Sequence, residues 1–164
     1  MITTKETSFK KDVENKKMTV VREFDAPVEQ VWKAWTDSSL LDKWWAPKPW
    51  KAKTKSMDFR EGGYWLYCMA GPEGEEHWAR MDYLTIVNGK RFMIVDSFCD
   101  QNGNITNDLP SMQWKNEFIQ TNEGTRVEIE INFPSEEYLR KFMEMGFEEG
   151  FKAALGNLDE LLAE

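Results

Sequence analysis

The sequence lacks a hydrophobic stretch that would cross a membrane or direct secretion. No run of about eighteen apolar residues occurs anywhere in the chain. Residues 1–17, MITTKETSFKKDVENKK, also lack the short apolar core that a secretory signal needs. We therefore expect no membrane partner and a cytoplasmic location.

Cysteine, histidine and positive charge are scarce as well. Cys68 and Cys99 stand in no CxxC or Cys/His pattern, and His77 is the single histidine, so neither a disulfide framework nor a zinc site is expected. The 21 lysines and arginines face 29 aspartates and glutamates, which gives a formal net charge of −8. This charge repels nucleic-acid backbones and anionic lipids. The sequence predicts no nucleic-acid partner, no metal and no cofactor.

Apolar residues are plentiful enough for one hydrophobic core. They make up 41% of the 164 residues, a share typical of globular proteins, and the length suits one domain. Residues 1–17 are polar and mixed in charge, with few large apolar side chains, which favours a flexible N-terminal tail. We expect a single domain over residues 18–164.

The predicted elements are one strand, two short helices, six strands and one long helix. β-branched residues predict a strand from 18 to 25, and apolar residues at helical spacing predict helices from 27 to 36 and from 39 to 45. Turn-forming residues then separate short strands at roughly 50–60, 63–70, 76–87, 90–99, 111–121 and 125–133. Apolar and polar residues alternate in the last strand, so the sheet is expected to have one dry face. Consecutive hairpins indicate an antiparallel meander.

The C-terminal segment predicts a helix of about seven turns. Ser135 is placed to cap this helix, and apolar residues from Leu139 to Leu162 recur at i, i+3 and i+4. A sheet with one dry face must curl to close its core on a single helix. The predicted fold class is therefore α+β: a curved antiparallel sheet of six to seven strands wrapped around one long C-terminal helix, with two short helices after the first strand.

Four stretches of the sequence together resemble one protein family. They are FDAPVEQVWKAWTDSSLLDKWWAPKPW, MDFREGGYW, GTRVEIEINFPS and MGFEEGFKAALGNLDELL. Their order and spacing resemble the SRPBCC (START-like, helix-grip) superfamily and, within it, the activator of heat-shock-chaperone ATPase, C-terminal-like branch. The resemblance extends over about residues 18–163.

This resemblance implies a helix-grip fold with a deep cavity between the long helix and the sheet. Across the superfamily that cavity holds lipids, polyketides, hormones and other hydrophobic molecules, and some members are cyclases or aromatases. Eukaryotic co-chaperone relatives carry an additional N-terminal domain, for which we expect no room in this chain. The resemblance therefore implies a small hydrophobic molecule as the partner, and it leaves a chaperone contact and a homodimer open.

Tryptophan and methionine are abundant, with eight and nine copies. Large aromatic rings and adaptable methionines suit either a plain core or a pocket for flat, apolar ligands. Strand parity and helical spacing select the residues expected to face such a pocket, with two tryptophans at its mouth. These candidate ligand-binding residues are Trp45, Trp50, Trp65, Tyr67, Met69, His77, Met81, Trp114, Asn116, Met143 and Phe147.

The residues favour a binding function over a catalytic one. The first hypothesis is a non-enzymatic module that binds a small hydrophobic or aromatic molecule in an internal cavity. The alternatives are a polyketide cyclase or aromatase, for which His77, Tyr67 and Asn116 are the polar residues available for enolisation, or a chaperone-interacting stress-response module. No catalytic residue is assigned, because no nucleophile or paired acid and base stands out.

Overall fold

The computed structural model describes residues 6–106 and 109–164, and these residues form eight strands and four helices. In chain order the elements are β1 (Ser8–Asp12), β2 (Lys17–Phe24), α1 (Val28–Thr36), α2 (Ser38–Trp44), β3 (Lys51–Met57), β4 (Tyr64–Ala70), β5 (Glu76–Val87), β6 (Arg91–Phe98), β7 (Met112–Gln120), β8 (Thr125–Asn132), α3 (Glu136–Glu144) and α4 (Phe147–Leu162). The two short helices and the six strands that follow them lie within a few residues of their predicted positions.

All eight strands belong to one antiparallel sheet with the order β1-β2-β8-β7-β6-β5-β4-β3. From β3 to β8 each strand pairs with the next one in sequence, which is the predicted meander. The predicted α+β class and helix-grip architecture are confirmed. The strand count differs, because β1 extends the sheet beyond β2 and raises the number from six or seven to eight.

The N-terminal strand corrects the prediction of a flexible tail. Residues 8–12 pair with β2, with Phe9 opposite Val20. The Phe9 ring also meets the Phe147 ring edge-on, with 6.3 Å between centroids. The tail prediction is therefore wrong for this strand, because the apolar partner of Phe9 lies far along the chain, where local composition gives no sign of it. Residues 1–5 of the predicted tail lie outside the described residues.

The long C-terminal helix is divided into α3 and α4. Ser135 caps α3 as predicted, since its hydroxyl accepts a hydrogen bond from the Tyr138 N–H at 3.0 Å. Gly146 then adopts a φ of 87°, a left-handed conformation that ends α3 and begins α4. The prediction of one uninterrupted helix is wrong at this point. The 16 residues of α4 form the long C-terminal helix of the grip.

The two short helices fill part of the space between the sheet and α4. The Asp37 carboxylate accepts a hydrogen bond from the Ser39 N–H at 2.9 Å and starts α2. The Trp44 indole N–H donates to the Ala34 carbonyl at 2.9 Å. Together with the buried rings of Trp32 and Trp35, this indole makes one end of the core solid.

A buried ion pair fixes the C-terminal half of α4 to the sheet. The Arg22 guanidinium of β2 is almost completely buried and pairs with both carboxylate oxygens of Asp159 in α4. The same guanidinium also donates to the Glu23 carbonyl at 2.6 Å. This contact, together with the apolar face of α4, sets the position of the helix over the sheet.

Candidate functional site

Four adjacent strands build one wall of a cavity on the inner face of the sheet. Each strand contributes two residues at alternate positions, so the eight side chains point the same way. They are Tyr67 and Met69 of β4, His77 and Ala79 of β5, Asp96 and Phe98 of β6, and Met112 and Trp114 of β7. The strand register places Met69 opposite His77 and Ala79 opposite Phe98.

Helices and the loop after α2 build the opposite wall. This wall consists of Trp45, Pro47, Phe142, Phe147, Gly150 and Phe151. The turn at Gly146 brings the last turn of α3 against the first turn of α4, so the Phe142 and Phe147 rings lie 4.7 Å apart between centroids. The break in the C-terminal helix therefore contributes directly to the cavity wall.

The cavity is closed at one end and open at the other. The next inward residue of each strand closes it, and Trp65, Met81, Ile94 and Asn116 leave a space of only about 10 Å³ there. At the other end His77 is exposed, and its imidazole lies against the Trp50 ring with 5.4 Å between centroids. The volume between these ends is about 240 Å³.

Aromatic rings hold one another in place around this space. The Trp114 ring meets the Phe147 and Phe151 rings edge-on, each at 5.9 Å between centroids. Phe147 and Phe151 stack on each other at 5.2 Å. Rings fixed on several sides have little freedom to turn into the cavity, so the walls are preformed.

Tyr67 presents a hydroxyl group to the cavity from a fixed position. Its ring stacks on Trp65 at 4.0 Å between centroids, and its oxygen accepts a hydrogen bond from the Trp45 indole N–H at 3.0 Å. Burial raises the pKa of Tyr67 well above its usual range, and the nearby charge of Asp96 acts in the same direction. The hydroxyl therefore keeps its proton and has it available to donate.

Asp96 is the one carboxylic acid among the described residues that line the cavity. It lies on the inner face of β6, two residues from Ile94 and two from Phe98. Burial in these apolar surroundings raises the pKa of Asp96 to about 7. Within the described parts of the chain, no hydrogen bond or ion pair reaches this carboxyl group. The side chain is partly accessible, and the space that it faces is the cavity.

The sequence carries a signal for Asp96, although this residue is not among the predicted site residues. In the segment Arg91–Phe98, the residues Phe92, Ile94 and Phe98 share one face with Asp96. A carboxyl group at a position where the alternation calls for an apolar side chain is the signal that identifies it.

The structure places the eleven predicted site residues in four positions relative to the cavity. Trp45, Tyr67, Met69, His77, Trp114 and Phe147 line the cavity. Trp65, Met81 and Asn116 belong to its closed end, and Trp50 stands beside His77 at the mouth. Met143 packs against the core without lining the cavity. Contact of any of these residues with a ligand stays a prediction.

The polar residues suggested for a cyclase are not all brought together. Tyr67 and His77 border the cavity, whereas Asn116 is buried behind Trp114 at the closed end. Cys68 and Cys99 are free and buried, and burial raises the pKa of both thiols, so they are poor nucleophiles at neutral pH. The described residues contain no group of three or more side chains suited to hold a metal ion.

A curved sheet closed over a C-terminal helix, with a preformed apolar cavity between them, defines the helix-grip class of proteins. The family model described as "Activator of Hsp90 ATPase homolog 1-like protein" matches residues 25–163. The chain belongs to this family, which lies within the SRPBCC superfamily predicted from the sequence. Family membership supports a ligand-binding fold.

Solved structures of bacterial proteins share both sequence and fold with this chain. A protein from Arthrobacter aurescens is 34% identical, with a TM-score of 0.88 over 95% of this chain and 91% of its own. Protein Ms6760 from Mycobacterium smegmatis is 30% identical, with a TM-score of 0.87 over 96% of this chain and 97% of its own. Protein NE0264 from Nitrosomonas europaea is also 30% identical, with a TM-score of 0.80 over 91% of this chain and 95% of its own.

No curated protein matches the chain. Among the described residues, no helix has both the length and the apolar character needed to span a bilayer.

Proposed function

We propose that this protein binds a small hydrophobic or aromatic molecule in the cavity between the sheet and the C-terminal helices. The observation that carries this proposal is the cavity itself: about 240 Å³ of space with an opening to solvent and walls made largely of aromatic rings. Protein interiors are normally packed without voids of this size, because an unfilled apolar space forfeits dispersion contacts.

The volume limits the size of the guest. An engineered apolar cavity of roughly 150 Å³ accommodates benzene, whereas sites for drug-sized ligands span about 300–1,000 Å³. A space of about 240 Å³ therefore suits a compact guest of one or two rings or a short branched chain. Flat rings would find edge and face contacts with Trp114, Phe147 and Phe151.

Gly150 offers a direct way to fill the cavity from a rigid element. It lines the cavity in the first turns of α4, and a Cβ atom there would meet no neighbour closer than Pro47 Cγ at 3.9 Å. We expect Gly150→Leu to fold normally and to place its side chain in the guest space. Binding of a neutral aromatic probe should weaken by roughly tenfold or more, because the leucine side chain occupies part of the cavity and the probe loses the apolar contacts made there.

Gly156→Leu is the matched control in the same helix. A Cβ atom at Gly156 meets nothing within 4 Å, and the residue does not line the cavity. A thermal-shift and native mass-spectrometry screen of small aromatic and aliphatic compounds would identify probes for the unmodified protein. Binding that survives in the Gly156 variant and is lost in the Gly150 variant would support the proposal. Equal binding by both variants, or no binder for the unmodified chain, would overturn it.

A further inference from the structure

The cavity wall contains a carboxyl group, Asp96, that forms no ion pair with any described residue. Every other described lining residue is apolar, aromatic or neutral except the imidazole of His77 at the mouth, and no lysine or arginine is among them. Buried charges in proteins are normally paired or hydrogen-bonded, because removing an ion from water is costly. Arg22 and Asp159 follow this rule in the same molecule, whereas Asp96 has no such partner among residues 6–106 and 109–164.

Aromatic rings surround the position that a partner of Asp96 would occupy. Tyr67, Phe98 and Trp114 come from the sheet, and Phe147 and Phe151 come from α4. The faces of such rings carry a partial negative potential and attract cations within about 6 Å of the ring centroid. A carboxylate and five aromatic rings therefore line the same space, and an ammonium group that meets a ring face there would be attracted by both.

We propose that the guest of this cavity carries a protonated amine on an apolar body, with the ammonium group paired to the Asp96 carboxylate and the body held by the aromatic walls. The inference rests on the proposed binding function and adds the chemical class of the ligand. It also excludes fatty acids and other anionic ligands, because these would place a second negative charge beside Asp96.

The energetic argument depends on preorganisation. Folding removes much of the water around Asp96 whether or not a guest is bound, so the main desolvation cost that binding adds is that of the amine. The ammonium group regains hydrogen bonds from the carboxylate and attraction from the rings. The net charge of −8 on the whole chain raises the local concentration of cations in addition. A neutral guest gains only the apolar contacts and one ordinary hydrogen bond.

Few groups near Asp96 could contribute to the pH dependence of binding. Tyr67 of β4 and Tyr138 of α3 feel its charge, and burial raises the pKa of both hydroxyls. Cys99, just beyond β6, also has a raised pKa caused first by burial. The lining residues of β7 and α4 carry no titratable group, and His77 is the remaining one from β5. The pH dependence of amine binding should therefore follow Asp96, and His77→Gln removes the imidazole from the comparison.

Three probes with one ring system and three charges test the inference. Naphthylmethylamine, naphthalenemethanol and naphthoic acid, substituted at the same ring position, would be titrated into the full chain by isothermal calorimetry. We expect the amine to bind most tightly and the acid least. Asp96→Asn should weaken amine binding roughly ten- to hundredfold, the range of a hydrogen bond to a charged group. The alcohol should bind the variant as it binds the unmodified chain.

Glu123→Gln is the control for net charge. Glu123 lies in the exposed turn between β7 and β8, and its substitution removes one negative charge, as Asp96→Asn does. Amine affinity should stay unchanged in this variant. In the unmodified chain and in His77→Gln, amine affinity should fall as the pH drops below 7 and the carboxyl group takes up its proton, and the total loss should level off at the same ten- to hundredfold.

The outcomes separate the two proposals. Amine binding that is strongest in the unmodified chain and specifically weakened in Asp96→Asn supports both. Alcohol binding that equals or exceeds amine binding, with no effect of Asp96→Asn, overturns the amine inference and leaves the cavity as a binding site. Failure of all three probes to bind counts against the binding function itself.

Discussion

At the scale of single residues, Asp96 differs most from its surroundings. Its neighbours along the inner face of β6 are Ile94 and Phe98, and burial raises its pKa to about 7. In the unfolded chain the same group should titrate near its ordinary value of 3.8. Between about pH 4 and 7 the folded protein therefore holds a proton that the unfolded chain releases.

This difference predicts a pH-dependent stability. Between pH 4 and 7 the unfolded chain binds fewer protons than the folded one, so the free energy of unfolding falls as pH rises and levels off above 7. Asp96→Asn removes this contribution. The difference in free energy of unfolding, variant minus unmodified chain, should therefore increase by roughly 2–4 kcal/mol from pH 4 to pH 8, since one pKa unit corresponds to about 1.4 kcal/mol. Urea denaturation at a series of pH values measures it.

Glu123→Gln again serves as the comparison, because it removes one carboxyl group from an exposed turn instead of from the cavity wall. A constant difference between Asp96→Asn and the unmodified chain at all pH values would contradict the assignment of this proton to Asp96.

Strand parity predicted which side chains face inward but not how far the cavity extends. Tyr67, Met69 and Trp114 were predicted correctly to point inward, and they line the cavity. Trp65 and Asn116 point the same way, but each lies two residues beyond the lining residue of its strand, toward the closed end, where the helices fill the space. The extent of a cavity depends on the packing of distant elements, and a pattern within one strand carries no information about it.

At the scale of elements, the turn between α3 and α4 decides the shape of the cavity wall. The predicted apolar face continues from Met143 through Gly146 to Phe147 without interruption, so the sequence predicts one helix. Only the identity of Gly146 points to a break, and a glycine within a helical pattern is compatible with either outcome. In the structure Gly146 adopts a left-handed conformation with a φ of 87°, and the helix breaks there.

Two glycine substitutions should therefore have opposite effects on stability. Gly146→Ala forces an L-residue into a left-handed conformation and should lower the free energy of unfolding by about 1–2 kcal/mol. Gly156→Ala lies in regular helix with no neighbour within 4 Å of its new Cβ atom, and should raise that free energy by about 1 kcal/mol. Chemical denaturation followed by circular dichroism compares them. Equal effects of the same sign would contradict the described break.

At the scale of the whole molecule, the sequence predicted the meander and the two short helices because local signals define them. Turn residues between strands and the Asp37 cap act within a few positions of their targets. The edge strand β1 escaped prediction because its partners, β2 and Phe147, are identified only after the chain has folded. The grip of sheet on helix is the result of such long-range contacts, and the cavity is the space that they leave.

Methionine methyl groups report on that space directly. Met69 and Met112 line the cavity, whereas Met145 is exposed at the turn between α3 and α4. The decisive measurement is a titration of the protein, labelled with ¹³C in its methionine methyl groups, with naphthalenemethanol, followed by NMR. We expect saturable ring-current shifts of the Met69 and Met112 methyl signals and an unchanged Met145 signal. Shifts confined to Met145, or no shift of the two cavity methyl groups at any probe concentration, would contradict a guest site between sheet and helix.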